Sequence, residues 1–504
     1  MYDRNHLISK LKEASTGREE DVFAHLPGGE TVSFGALFAG AERMAAALVS
    51  FGVEPGDRVA VQVAKTIQAI ELYLGTVIAG GIFLPLNTAY TGPEVAYFVG
   101  DASPRVVVCD PDRLDEISTI SGEAKVLTLN AAGQGSLQDL ADAQDGFDVV
   151  ARDSGDLAAI LYTSGTTGRS KGAMLSHDNL ASNSAVLRDY WRFTADDVLI
   201  HALPIFHTHG LFVATNVALL SGAKVVFLPG FDPDAIIKAM PTATALMGVP
   251  TFYTRLLADE RLTRERAGSM RLFISGSAPL LVDTHEQWEA RTGHRILERY
   301  GMTETNMSTS NPYEGERRAG TVGFPLPGIE ARVMDEGAEV PTGEIGVLEV
   351  RGANVFQGYW QMPEKTAEEL KPDGWFITGD MAKIDADGYV TIVGREKDLI
   401  ITGGFNVYPK EVESLIDDLP GVLESAVIGA PHPDFGEGVV AIVVPEGDGT
   451  SAQAISGALQ GQLAKFKQPK RVIVLDALPR NTMGKVQKKA LRETYAGIFA
   501  DGCD

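Results

Sequence analysis

Eleven residues, Tyr162-Thr163-Ser164-Gly165-Thr166-Thr167-Gly168-Arg169-Ser170-Lys171-Gly172, carry the densest anion-binding chemistry in the chain. Three glycines let backbone N–H groups turn toward one point, five aliphatic hydroxyls add short donors, and Arg169 and Lys171 add charge. That composition suits a triphosphate. The spacing is not that of the common phosphate loop, which needs Lys directly after the second Gly and then Ser or Thr. Here Lys171 lies between Ser170 and Gly172. On composition alone, a flexible Gly/Ser/Thr surface loop is the plain alternative.

Three further groups could act on a nucleotide. Tyr300-Gly301-Met302-Thr303-Glu304 joins a ring that can stack on a base to a carboxylate that can hold Mg²⁺ beside phosphates. Asp380, after Thr378-Gly379, can accept two ribose hydroxyls with Arg395 in support, although an Asp after a Gly is often only a turn residue. Lys485 follows Pro479-Arg480-Asn481-Thr482-Met483-Gly484 and could set an ammonium against charge building on phosphorus. By composition it is one cation among several, since Lys488, Lys489 and Arg492 follow.

These groups need a frame. The apolar run Leu157–Leu161 reads as a buried strand of a parallel sheet leading into the loop. Earlier, strands at 58–63, 82–86, 105–109 and 125–129 alternate with helices at 36–51 and 66–79. Later, a helix at 178–191 precedes strands at 199–204, 224–228, 243–248 and 271–274. Such alternation predicts an α/β architecture with ligands at the carboxyl ends of the strands. Near residue 340 the pattern changes to period two, as in Gly343–Gly352 and Tyr389–Val393, which predicts a small β-rich unit. After a polar break at Gly394–Asp398, helices (409–418, 451–463) and strands (425–428, 439–444, 471–474) suffice for a separate α+β domain.

At 504 residues the chain is too long for one core. Its formal charge of -23 argues against a nucleic-acid partner, so anionic ligands need local positive sites. Cys109 and Cys503 are its two cysteines, too few for a disulfide framework or a thiolate zinc site. The first residues lack the apolar core of a signal peptide, and no apolar run reaches about 18 residues. The expectation is a soluble cytoplasmic protein without a membrane partner.

The loop string is followed, in order, by Leu203–Gly210, Gly276-Ser277-Ala278-Pro279, Tyr300–Thr305, Thr378-Gly379-Asp380, Gly394–Glu413 and Pro479–Lys485. Over about residues 30–492 the chain resembles the adenylate-forming enzymes: acyl-CoA synthetases, luciferases and peptide-synthetase adenylation domains. The resemblance implies a large N-terminal domain of α/β layers with a small β-rich subdomain (1–394), a hinge (395–398) pivoting at Lys397, and a mobile α+β C-terminal domain (399–504). It implies ATP binding by Thr163, Ser164, Gly165, Thr166, Thr167, Gly168, Lys171, Gly276, Ser277, Ala278, Tyr300, Gly301, Thr303, Asp380 and Arg395. Glu304 is the implied Mg²⁺ ligand, and Lys485, Glu304 and His207 are the implied catalytic residues. Gly403 and Gly404 would line the channel for coenzyme A. Relatives are switched off by acetylation of the Lys matching Lys485, so a lysine acetyltransferase is an expected partner.

The acid is read from fewer residues. Amino-acid-activating relatives place Asp after the Phe of the third motif; here His207 follows Phe206, which favours an acyl-CoA synthetase. His207 would pack over the acid or donate to it. Arg299 immediately precedes Tyr300, and Arg255 lies in a strand-to-helix segment that borders the acyl pocket in that fold. A long apolar tail would strand a guanidinium, at a cost of several kcal/mol. A second carboxylate would satisfy it through a planar two-point contact. Both arginines and Ser277 match the malonate-activating branch of the family, so malonate is expected, with methylmalonate tolerated. Salt bridges to neighbours such as Glu298 are the competing reading of the arginines. The competing functions are a synthetase for another short acid and a catalytically silent nucleotide-binding scaffold.

Overall fold

The computed structural model describes residues 2–163, 170–403, 405–447, 450–460, 462–481 and 484–500. Two sheets of the N-terminal part follow the expected alternation. In the first, Lys125–Thr128, Val106–Cys109, Arg58–Gln62, Ile82–Pro85 and Leu157–Thr163 run parallel in that spatial order. These are four- to seven-residue apolar runs, buried on both faces as parallel strands require. In the second, a parallel centre of Val22–His25, Lys224–Phe227, Val198–His201, Ala245–Gly248, Leu272–Ser275 and Leu297–Met302 is flanked by antiparallel edge strands.

One strand was hidden in the sequence. Leu157–Thr163 has a parallel neighbour on one side only; on the other, Lys171–Ser176 runs antiparallel and sets Thr163 opposite Lys171. Lys171 therefore opens a strand that comes between the anion loop and the helix His177–Tyr190. Its outer side is met by a segment nearly two hundred residues later. Gln357 N–H and Trp360 N–H donate to the carbonyls of Met174 and Gly172 at 2.9 and 2.7 Å. No local pattern reports such a partner.

The β-rich unit is an antiparallel sheet centred on Ile329–Asp335, Gly346–Gly352, Phe376–Ile384 and Val390–Arg395. Its last strand leads into the short turn Glu396–Asp398. Beyond it, Val422–His432 and Gly436–Pro445 form a long hairpin; Gly436–Pro445 also pairs in parallel with Arg471–Val474 and, at Gly436, with the hairpin of Ile400–Thr402 and Phe405–Val407. Separate apolar clusters cover its two faces, one under Pro409–Asp417, the other under Lys488–Thr494. The chain is thus α/β layers, a small β sheet and an α+β C-terminal domain.

Candidate active site

The parallel strands of the second sheet end at His201, Gly248, Ser275 and Met302, and the functional side chains collect at those ends. On Leu297–Met302 alternation sends consecutive residues to opposite faces. Tyr300 turns toward the β-rich unit, where its hydroxyl donates to Asp380 Oδ2 at 2.6 Å. Arg395 Nε stands 2.7 Å from Asp380 Oδ1, its other nitrogen donates to Thr378 O at 3.2 Å, and Asp380 and Arg395 face each other across a strand pair. Ring, carboxylate and guanidinium are thus joined to one another within the protein.

Glu304 is buried in the middle of the turn at 303–305 that begins with Thr303. The Tyr359 hydroxyl lies 3.0 Å from Glu304 Oε1 and 2.6 Å from Glu369 Oε2. A hydroxyl has one proton, so one of the two carboxyls must carry a proton or share a cation. Burial raises the pKa of Glu304, against the pull of the Tyr359 hydroxyl, Lys171 and Arg395. Lys171 itself is 3.1 Å from Glu369 and lies 4.1 Å above the Tyr359 ring. One buried carboxylate beside an anion site fits Mg²⁺, which takes one or two carboxylates and completes its shell with phosphate and water. Tyr359 and Glu369 lie 55 and 65 positions beyond Glu304 and carry no motif, so the sequence did not announce them.

Arg299 points the other way, into a buried pocket. Among the described residues, its Nε and one terminal nitrogen have no hydrogen-bond partner, and neither do His207 Nδ1, Thr208 Oγ1, His209 Nε2 and Ser275 Oγ. Ser277 Oγ is 3.3 Å from His209 Nδ1. The backbone closes tightly here: a Cβ on Gly276 would lie 2.4 Å from Arg299 Cζ, and Ser277 adopts φ +72. A non-glycine residue in that region stores about 1–3 kcal/mol of strain, and such strain gathers at functional sites. Burial pushes Arg299 down to about 9, still cationic at neutral pH. Burial, then Arg299 and Lys485, push His207 down to about 4, so it is a neutral imidazole. Glu298 does not pair with Arg299. It lies on the opposite face, accepts the Leu280 N–H at 3.1 Å, and is raised to about 7 by burial. His209 escaped the sequence reading, although its spacing of two from His207 before Gly210 was visible.

Cations close the site from the C-terminal side. The Lys485 side chain stays open to solvent in a cleft crowded by protein. Desolvation lowers its pKa, Arg395 lowers it further, and Asp380, Asp398 and Glu304 oppose. Lys397 is pushed down to about 8 by desolvation, Arg395 and Lys485, against Asp398 and Asp380. Arg395, Lys397 and Lys485 therefore converge, a cluster suited to an anion with several charges. Asp398 in the turn pairs with Arg492 of the last helix.

Two expectations need correction or a boundary. Arg255 is not brought into the Arg299 pocket: it is exposed on the helix Pro250–Leu257, with its guanidinium over the Phe231 ring. It lies one turn from Thr251, whose side chain a Cβ on Gly484 would meet at 3.5 Å. The sequence placed the segment, not the phase of the helix. Gly403 lies in the turn of the first C-terminal hairpin, its N–H donating to Phe435 O at 2.8 Å. Ser164, Gly165, Thr166, Thr167, Gly168 and Gly404 lie outside the described residues. Gly301 is at a bulge beside Tyr300, and Ala278 follows Ser277 in the strained loop. Among the described residues, no group of three or more His, Cys, Asp or Glu could hold a metal by itself, and no helix is long and apolar enough to cross a membrane.

Residues 11–360 match the family of AMP-binding enzymes, and residues 411–485 match the AMP-binding enzyme C-terminal domain. The chain is similar to a malonate–CoA ligase of Arabidopsis thaliana, 34% identical over 481 residues, which cover 88% of this chain and 79% of that one. Among solved structures it is similar to ATP-bound MatB from Rhodopseudomonas palustris, at 60% identity and TM-score 0.96, covering 98% of this chain and 99% of that one. Apo MatB from the same organism has the same identity but a TM-score of 0.85. Of those two states, this chain is nearer the ATP-bound one.

Proposed function

The chain belongs to the AMP-binding enzyme family, and on that premise we propose that it ligates malonate to coenzyme A. In the first step a malonate carboxylate attacks the α-phosphorus of ATP, giving malonyl-AMP and releasing pyrophosphate. In the second, the thiol of coenzyme A attacks the malonyl carbonyl, loses its proton, and displaces AMP. The observation that carries the choice of acid is the buried Arg299, with unpartnered nitrogens, faced by His207, His209 and Ser277. A carboxylate remote from the reacting one satisfies such a guanidinium; an alkyl chain would leave it unpaired. The likeness to a malonate–CoA ligase supports the same reading.

The roles follow from position. Asp380 takes the ribose hydroxyls, Tyr300 meets the adenine, and Arg395 locks Asp380. Lys485, among the cations of the cleft, stabilises the charge that builds on the α-phosphate during attack. Lys171 serves the outer phosphates by exchanging Glu369 for them, together with Thr163 and residues 164–168. Glu304 would hold Mg²⁺, which supplies charge neutralisation of the triphosphate when bound. His207, neutral, donates to or packs on the acid. Residues 1–394 act as the nucleotide- and acid-binding domain, 395–398 as the hinge at Lys397, and 399–504 as the moving domain that offers Gly403 and Gly404 to the pantetheine in the second step. Methylmalonate is accepted where the C2 methyl fits. Because Lys485 works by charge, acetylation by a lysine acetyltransferase would silence the first step. The site of action is the cytoplasm.

The test is AMP release with ATP and Mg²⁺ over a panel of acids, each with and without coenzyme A. Turnover led by malonate and dependent on coenzyme A is expected. Turnover led by acetate or a longer monocarboxylate would overturn the pocket reading. No AMP with any acid would favour a silent scaffold.

A further inference from the structure

Lys65 lies between the strand Arg58–Gln62 and the helix Ile67–Ile78, in the first sheet's layer. His201 ends the strand Val198–His201 in the second sheet. The two meet where the layers join. Lys65 Nζ donates to His201 O at 2.7 Å, stands 3.0 Å from His201 Nδ1, and lies 4.5 Å above the Phe227 ring. Among the described residues no carboxylate is in ion-pair contact with it, although it is largely buried. Such a group needs a reason to be there.

The partners of His201 supply one. Its Nε2 is 3.0 Å from Gly210 O and 3.1 Å from Thr215 Oγ1, while the Thr215 hydroxyl also donates to Gly210 O at 3.0 Å. A carbonyl can only accept, so Nε2 carries the proton and Nδ1 is left to accept from Lys65. The chain Lys65 → His201 → Gly210 thus has one direction. Gly210 belongs to a π-helical turn, His209–Thr215, a form found mostly at functional sites. Gly210 is also wedged: a Cβ there would lie 2.0 Å from Pro204 O. Of the three residues before it, His207 and His209 lie close enough to feel the Arg299 charge, and each keeps one buried nitrogen without a partner among the described residues.

We infer that Lys65 and His201 are positioning residues for the acid: together they pin the Gly210 carbonyl and so hold the His207–His209 wall against Arg299 and Ser277. This rests on reading that pocket as the acid site. Neither residue touches the nucleotide cluster around Asp380, so their loss should fall on the acid alone. The displacement need not be large, since a shift of about 1 Å can cost on the order of a hundredfold.

The test uses the full chain with Lys65→Met, His201→Leu, His201→Gln and His209→Ala. Wild-type AMP release over the acid panel is measured first, and the acid it selects is then used. That arm judges the function, and the variants judge this inference. Lys65→Met is expected to raise the KM for the acid roughly tenfold or more while MgATP binding by calorimetry, without acid, stays within about twofold. Adding Lys65→Met to His209→Ala should cost much less than it does in the wild type, because both act through one wall. His201→Gln, which keeps a donor and an acceptor, should restore most of what His201→Leu loses, and this comparison stands if Lys65→Met fails to fold. Equal losses for acid and MgATP, additivity with His209→Ala, or identical His201→Gln and His201→Leu would overturn the inference.

Discussion

Arg299 and Tyr300 are neighbours in sequence and opposites in state. Tyr300 is already bonded to Asp380, which is bonded to Arg395, so the nucleotide side is assembled and polar groups satisfy one another. Among the described residues, two guanidinium nitrogens of Arg299 and one ring nitrogen each of His207 and His209 lack partners. A satisfied network is rigid at little cost, whereas buried unpaired donors cost about 1–3 kcal/mol each and persist where a ligand completes them. On the proposed reading, the nucleotide cradle is held together by protein and the acid pocket is completed by its acid. Selectivity should therefore live on the Arg299 side, and common chemistry on the Tyr300 side.

The largest effect should come from the residue that serves the reaction rather than either pocket. Lys485→Ala should lower malonate-dependent pyrophosphate exchange by on the order of 10²–10³. Coenzyme A transfer from supplied malonyl-AMP should change only a few-fold. Equal loss in both half-reactions would make Lys485 structural. Next, Asp380→Asn removes the charge shared by Tyr300 and Arg395, and should weaken MgATP binding by roughly tenfold or more. Calorimetry without acid checks this, and the KM for malonate should hardly move. A matching rise for malonate would mean the two regions are not separate.

The smallest effect concerns Glu298, which lies beside Arg299 without being its counter-ion. Its folded pKa of about 7 is above the unfolded carboxylate value, so the folded state holds the extra proton between about pH 4.3 and 7. Its contribution is favourable below that window and lost as pH rises through 7. Glu298→Gln should therefore gain Tm relative to wild type, by about a few degrees, on going from pH 5 to pH 8. If Glu298 were instead the partner of Arg299, the variant would lose stability at pH 8.

The nucleotide side was the more legible region because its residues sit in short glycine-bearing strings, where neighbours in sequence are neighbours in space. Tyr300, Asp380 and Arg395 come together as expected because two of them face each other across one hairpin. Glu369 and Tyr359 were not legible, since only folding brings them to Lys171 and Glu304. The strand Lys171–Ser176 pairs with its sequence neighbour Leu157–Thr163, but the segment 357–360 that meets its outer side is remote and no local pattern reports it. Arg255 was assigned by segment, but a helix turns 100° per residue and the segment does not fix its face. Arg299 was singled out by its place before Tyr300, while its burial and its face on the strand Leu297–Met302 came only with the fold. His209 and the π-helical turn required the local geometry itself.

The central claim is that Arg299 waits for a second carboxylate. Its most direct test is kcat/KM for malonate and for acetate in wild type and in Arg299→Met, with folding checked by MgATP binding. A charged hydrogen bond of about 1.5–3 kcal/mol predicts a loss of roughly ten- to two-hundred-fold for malonate and a clearly smaller loss for acetate. Equal losses on both acids would contradict the account and leave Arg299 a structural residue.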